Sequence, residues 1–253
     1  MPDFEFLSTQ LKAGSRNIIF SKITKSLSLN GSGAFIVSLF FVVLVTAISE
    51  AQFRLLDVNN VISLYLDQIA AGVFHSLGRF FNLFSPVRAV FTAAIFLLVV
   101  VIRVGFMSYC MRAVRGQRTS ILDTLDGLLI PGKILLIYLL STILILLWSL
   151  LLVVPGVIAF YQYRQSYYIL LDDPSKSALQ CIRESKILMN GHKLELLSID
   201  FSFFAWLLLS VAFALLTRAF LPFSVPLISI WTSPYIGLSH SAYYDRLLRA
   251  ATS

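Results

Sequence analysis

Charge is what this sequence has least of. Of its 253 residues only 13% are Asp, Glu, Lys or Arg, while 58% are hydrophobic. Mean hydropathy is +0.83. A soluble domain carries about 25% charged residues. A chain so poor in charge stays folded only where its outer surface meets hydrocarbon, so the composition reads as that of a membrane protein. The formal net charge of +7 would point to nucleic acid in a soluble protein. Here the basic residues occupy short stretches between apolar runs, as membrane topology requires, and nucleic acid is not an expected partner.

The residues of common reactive sites are equally scarce. Cys110 and Cys181 are the two cysteines. Both fall on the expected cytoplasmic side, where thiols stay reduced, and their spacing matches no ligand pattern. The histidines His75, His192 and His240 belong to three separate regions with no H-E-x-x-H spacing. No glycine-rich phosphate loop follows a strand. Ser239 and His240 adjoin in GLSHS (237–241), but neighbours on a helix point about 100° apart, so they cannot face each other as nucleophile and base. The motif is also not the G-x-S-x-G elbow, which needs a preceding strand. No catalytic, cofactor-binding or metal-ligating set is present, and a non-enzymatic protein is expected.

What is abundant is apolar helix. Runs at 33–49, 89–111, 134–154, 156–171, 194–217 and 223–244 read as six transmembrane helices in one membrane domain, an all-α polytopic fold. The first run follows a long polar lead rather than the chain start, so it is expected to be a retained span and not a signal peptide. Residues 1–32 read as a cytoplasmic amphipathic lead, an interfacial helix or a partly disordered tail. Residues 50–88 form the expected external loop, with Val61, Leu64, Tyr65, Ile69 and Phe74 on a helical period. Arg112, Arg115 and Arg118 open a polar loop that runs to Lys133.

The stretch from Ile134 to Leu171 cannot be one helix. Its 38 residues would span about 57 Å at 1.5 Å each, nearly twice a hydrocarbon core of about 30 Å. Pro155-Gly156 is the expected reversal between two antiparallel helices. Asp173 then reads as an N-cap with Pro174 at the first helical position, opening a cytoplasmic surface helix over 174–189 that Asn190-Gly191 ends. The sixth run is expected to be broken by Pro226 and Pro234.

The basic residues orient the bundle. With both termini inside, fourteen of the 20 Lys and Arg lie on the inner side and four outside, with Arg103 and Arg164 inside apolar runs. That asymmetry predicts an N-in, C-in topology.

At the central hairpin the chain resembles a bacterial integral membrane family, domain of unknown function 975. The resemblance rests on Pro155-Gly156, Tyr163, Tyr167, Tyr168, Ile169 and Leu170, and on Asp173-Pro174, Ser185, Met189, Gly191 and Lys193. It extends through Ser202-Phe203 with Trp206, Pro234-Tyr235 and Tyr243-Tyr244, covering roughly residues 100 to 250. It implies a multi-pass protein of the bacterial cytoplasmic membrane and carries no catalytic role with it.

Three ionisable residues inside the runs stand out. Arg103 lies nine residues from Arg112, Arg164 eight from Asp172 and Asp200 seven from Lys193. At 1.5 Å per residue these depths are about 13, 12 and 10 Å. Arg164 either snorkels to the surface or faces inward and pairs. A lone aspartate at depth costs about 2.5–3.5 kcal/mol even on the milder scale, so Asp200 is expected to meet Arg164 or Arg103. Tyr138, Tyr161 and His240 are the expected additional lining groups. Two arginines against one aspartate leave surplus positive charge for an anionic lipid or a small anionic ligand. The two readings that follow are a transport-related or ligand-binding bundle with a polar inner-leaflet cavity, and an accessory scaffold that binds another membrane protein.

Overall fold

The computed structural model describes residues 33, 35–48, 50–51, 86–220 and 227–252. Their regular structure is all helical, with no strand among the described residues. The elements in order are α1 (Phe35–Ile48), α2 (Pro86–Val114), a 3₁₀ helix η1 (Ile121–Leu129), α3 (Pro131–Leu151) and α4 (Val153–Tyr163). They continue as α5 (Ser166–Asp172), α6 (Ala178–Leu188), α7 (Lys193–Phe220) and α8 (Leu227–Thr252). Three segments, Val90–Val114, Pro131–Leu151 and Lys193–Thr217, are long and apolar enough to cross a membrane. The apolar α1 is shorter. The expected lead at 1–32 and the amphipathic helix around 61–74 lie outside the described residues, and α7 runs into the minimal turn expected over 218–222.

The hairpin reverses earlier than Pro155-Gly156. Leu152 alone is extended (φ −163°, ψ 153°), and α4 starts at the next residue. Pro155 sits in the first turn of α4, where an absent N–H costs nothing. Gly156 has a different task. A Cβ there would meet Ser149 Oγ at 2.1 Å and Ser149 Cα at 2.9 Å, so glycine lets the two arms of the hairpin touch. Farther along, Ala159 and Tyr163 pack with Leu140, Leu144 and Ile145, as antiparallel arms require.

The expected span over 156–171 is two helices. Between α4 and α5, Arg164 and Gln165 interrupt the helix, and the Ser166 hydroxyl donates back to the Tyr163 carbonyl at 2.7 Å. A hydroxyl that takes a helix carbonyl in this way loosens the backbone ladder.

Other boundaries also shift. The surface helix begins at Ala178, not 174, because Ser177 provides the better cap. Its hydroxyl accepts from the Gln180 N–H at 3.3 Å, and the Gln180 side chain accepts from the Ser177 N–H at 2.8 Å. Asp173 instead closes a turn on Ser175, accepting from its N–H at 3.1 Å and its hydroxyl at 2.5 Å. Those bonds hold the Asp173 carboxyl below the ordinary carboxylate value. Past α6, Gly191 takes φ +80°, as a helix stop needs. Pro234 does not break the last run, since α8 is continuous through it to Thr252. The expected polar loop from Arg112 to Lys133 holds η1.

Buried side chains concentrate where α2, α5, α6 and α8 meet. One group joins Phe106, Tyr109 and Cys110 of α2 to Leu238, Ala242 and Tyr243 of α8. Another joins Val101 and Val104 of α2, Ile134 and Ile137 of α3, Tyr168–Leu170 of α5 and Tyr244 of α8. By contrast, Leu146, Leu150 and Leu151 of α3 and Leu207–Leu209, Leu215 and Leu216 of α7 are exposed. Apolar area on this scale is the expected surface of a bundle solvated by lipid.

Candidate functional site: a charged cluster at a broken helix

The interruption after Tyr163 places Arg164 against α7 and α8. Its guanidinium donates to Asp200 Oδ2, and the Tyr161 hydroxyl donates to the same oxygen at 3.0 Å. The other carboxylate oxygen, Oδ1, lies 2.7 Å from His240 Nε2. The Arg164 Nη2 atom lies 3.5 Å from His240 Nδ1. Nη2 also lies 3.4 Å from His240 Nε2, so the guanidinium faces the imidazole as a whole, and a proton on Nε2 serves the bond to Asp200 Oδ1. Phe160 adds an aromatic face, 5.6 Å from the guanidinium carbon.

Four of the six expected residues thus come together: Arg164, Asp200, Tyr161 and His240. They tie α4, α7 and α8 at one level. Arg103 and Tyr138 do not touch the carboxylate. They lie within electrostatic reach of Tyr167, one turn beyond the break, with Tyr138 packed edge-on to Phe96 at 5.7 Å. Arg103 is exposed and has no acidic partner among the described residues, although His240 feels its charge. The cluster itself pairs one cation with one anion, so any surplus positive charge resides at Arg103. Beside it, Ser239 donates to the Tyr235 carbonyl at 2.6 Å while its neighbour His240 turns to Asp200.

Gln165 shares one helical stripe with Tyr161, Arg164 and Tyr168 in the sequence, but it is not among the expected lining groups. It is 1% exposed, yet its Oε1 has no hydrogen-bond partner among the described residues. Its i, i+4 spacing from Tyr161 puts it on the face that the cluster occupies.

A second polar layer closes the end of the bundle. Arg115 at the end of α2 holds Asp172 through two bonds of 2.5 and 3.0 Å and Asp245 at 3.3 Å. These bonds raise its already high pKa. Tyr244 donates to Asp172 at 2.8 Å and stacks on Tyr168 at 5.1 Å. Arg246 meets Glu195 at 3.2 Å. A cavity of about 390 Å³ opens beside this layer, with Ile169, Leu188 and Leu247 in its wall and Asp172, Lys176 and Glu184 among its polar groups. Its lining differs from the set expected for an inner-leaflet cavity. It includes none of Arg103, Tyr138, Tyr161, Arg164, Asp200 or His240.

Residues 150–251 match the family described as Protein of unknown function (DUF975). No curated protein and no solved structure matches the chain. The DUF975 match begins at the hairpin tip and takes in the whole charged cluster. Many residues that carried the resemblance serve the core: Tyr163, Tyr168, Ile169, Leu170, Met189, Tyr243 and Tyr244 are all buried. Two of them also bind distant backbone. Ser185 donates to the Gln162 carbonyl at 2.7 Å, and Tyr243 donates to that of His192 at 2.7 Å.

Proposed function

We propose that this is a six-span protein of the bacterial cytoplasmic membrane, N-in and C-in, that acts without catalysis as a transport-related or ligand-binding bundle. The observation that carries this reading is the placement of the Arg164–Asp200–His240–Tyr161 cluster at an interruption in a helix. Ionisable groups within a membrane are functional candidates by default, because their burial is costly. Discontinuous helices at mid-depth are also where membrane transporters hold their charged cargo. The ligand class that fits is anionic, a lipid headgroup or a small anion, drawn by Arg103 beside the neutral cluster.

The second reading, an accessory scaffold for another membrane component, draws on a specific feature as well. Asp200 has both oxygens occupied by groups of the chain itself, which is how a purely structural clamp would look. Native mass spectrometry of the protein extracted with its lipids separates the two. The ligand-binding reading expects a retained anionic species that is lost from the Arg103→Gln and Arg164→Gln variants. Equal retention in all three proteins, or none in any, leaves the scaffold.

A further inference from the structure

Between α2 and α3 the chain forms a 3₁₀ helix of nine residues, Ile121–Leu129, longer than the three or four typical of that geometry. Its repeat of 3.0 stacks every third residue into a straight row. Asp123 and Asp126 form one row, and both reach a single guanidinium: Arg112 lies 2.7 Å from Asp123 and 2.6 Å from Asp126. Ser108 adds a bond to Asp126 at 2.9 Å. Thr124 and Gly127 form the second row, pressed onto α2 backbone to backbone. A Cβ on Gly105 would lie 1.8 Å from the Thr124 carbonyl oxygen, and one on Gly127 would lie 2.2 Å from that of Val101. An α-helical repeat would rotate each of these rows off its partner.

The third row is Leu122, Leu125 and Leu128, exposed by 71%, 36% and 45%. Its position along α2 determines what it meets. If α2 enters hydrocarbon just past Arg88, the last charged residue before its apolar run, a core of about 30 Å takes about 20 residues and extends to about Ser108. Val101 and Gly105, on which η1 rests, fall inside that interval. An element lying on the flank of a membrane helix at that depth has lipid on its own outer side.

We infer that the Leu122–Leu125–Leu128 row is a lipid-contacting surface, and that η1 is a re-entrant segment lodged among the acyl chains of one leaflet rather than an aqueous loop. The chemistry of the other two rows permits this. Both carboxylates turn to the protein side, where Arg112 offsets one of their two charges and Ser108 donates to Asp126, and the 3₁₀ ladder satisfies the backbone. Arg118 on the near side is exposed, as a residue at the headgroup level should be. On α2 itself, Phe96 and Leu98 are likewise exposed.

The test is nitroxide labelling at Leu122→Cys, Leu125→Cys, Leu128→Cys and Arg118→Cys in protein reconstituted into phosphatidylcholine–phosphatidylglycerol vesicles. Cys110 and Cys181 are both buried, so the unsubstituted chain supplies the background. Collisions with oxygen, which concentrates in hydrocarbon, are compared with those of a water-soluble nickel chelate. The three leucine sites should favour oxygen, and the Arg118 site should reverse the order. Three positions in one row keep the result readable if one variant fails to fold. Preference for the nickel chelate along the row would make η1 an aqueous loop and overturn the inference. Poor access to both reagents would mean that a second copy or another part of the chain covers the row, which overturns it equally.

Discussion

Exchanging the charges of Arg164 and Asp200 is the most demanding perturbation of the cluster. Asp200→Arg places a second guanidinium beside Arg164 and removes the acceptor used by Tyr161 and His240. Breaking a buried pair by losing one partner costs about 3–5 kcal/mol. The two side chains remain 26% and 23% exposed, so the lower end of that range is the better expectation. For a chain of this size about 3 kcal/mol lowers Tm by roughly 6–12 °C. Arg164→Asp alone should cost a similar amount. The double variant restores the pair with its polarity reversed, although Tyr161 and His240 then face a guanidinium instead of a carboxylate. Recovery should therefore be partial, with a coupling above about 1 kcal/mol. That exceeds the average of about 0.6 kcal/mol for interhelical hydrogen bonds in a membrane protein, so the two cases are separable. Thermal unfolding in a mild detergent, followed by size-exclusion chromatography, supplies the four Tm values. Additive losses, with no recovery in the double variant, would refute the argument that the pair offsets the cost of burying Asp200.

Further perturbations address other joints. Gly156→Leu should lower Tm by several degrees, since overpacking costs about 1–3 kcal/mol, and Ser149→Gly should return part of it; a Tm unchanged by Gly156→Leu would mean the hairpin arms do not touch. Gly105→Leu should destabilise at least as much, because the Thr124 carbonyl is fixed backbone, and circular dichroism with thermal melting would show it. Ser175→Ala should raise the titration midpoint of Asp173, followed by carboxyl carbon NMR. The sign is that of a depressed folded-state pKa: the bonds to Ser175 contribute above the unfolded value of about 3.9 and are lost as pH falls through the folded one. A midpoint unmoved by the substitution would contradict the turn described at Ser175.

The apolar runs and the pairing of Arg164 with Asp200 were legible because both follow from one quantity, the cost of placing polar groups in hydrocarbon. Depth counting from Asp172 and Lys193 set the two residues at the same level, and His240 and Tyr161 followed from proximity to that level. Arg103 was counted to the same depth but faces outward, since residue counting gives height along a helix and not its rotation. The interruption at Arg164–Gln165 left no mark because neither residue is a helix breaker and Ser166 acts through its side chain. In D-D-P-S-K-S, Asp173 and Ser177 both qualify as caps, and only the reciprocal bonds with Gln180 decide for Ser177. The 3₁₀ row structure of η1 was hidden by its mixture of aspartate and leucine, which reads as a polar loop until Arg112 is seen to hold both acids.

The central claim is that Asp200 and Arg164 are in contact within the bilayer, and an internuclear distance tests it most directly. Solid-state NMR of the reconstituted protein can measure dipolar coupling between the Asp200 carboxyl carbon and the Arg164 guanidinium nitrogens, assigned by its loss in Asp200→Asn. A direct N–H···O contact requires a separation within about 4 Å and hence a readily detected coupling. A coupling too small to detect would place the two groups apart and contradict the cluster on which the proposed function stands.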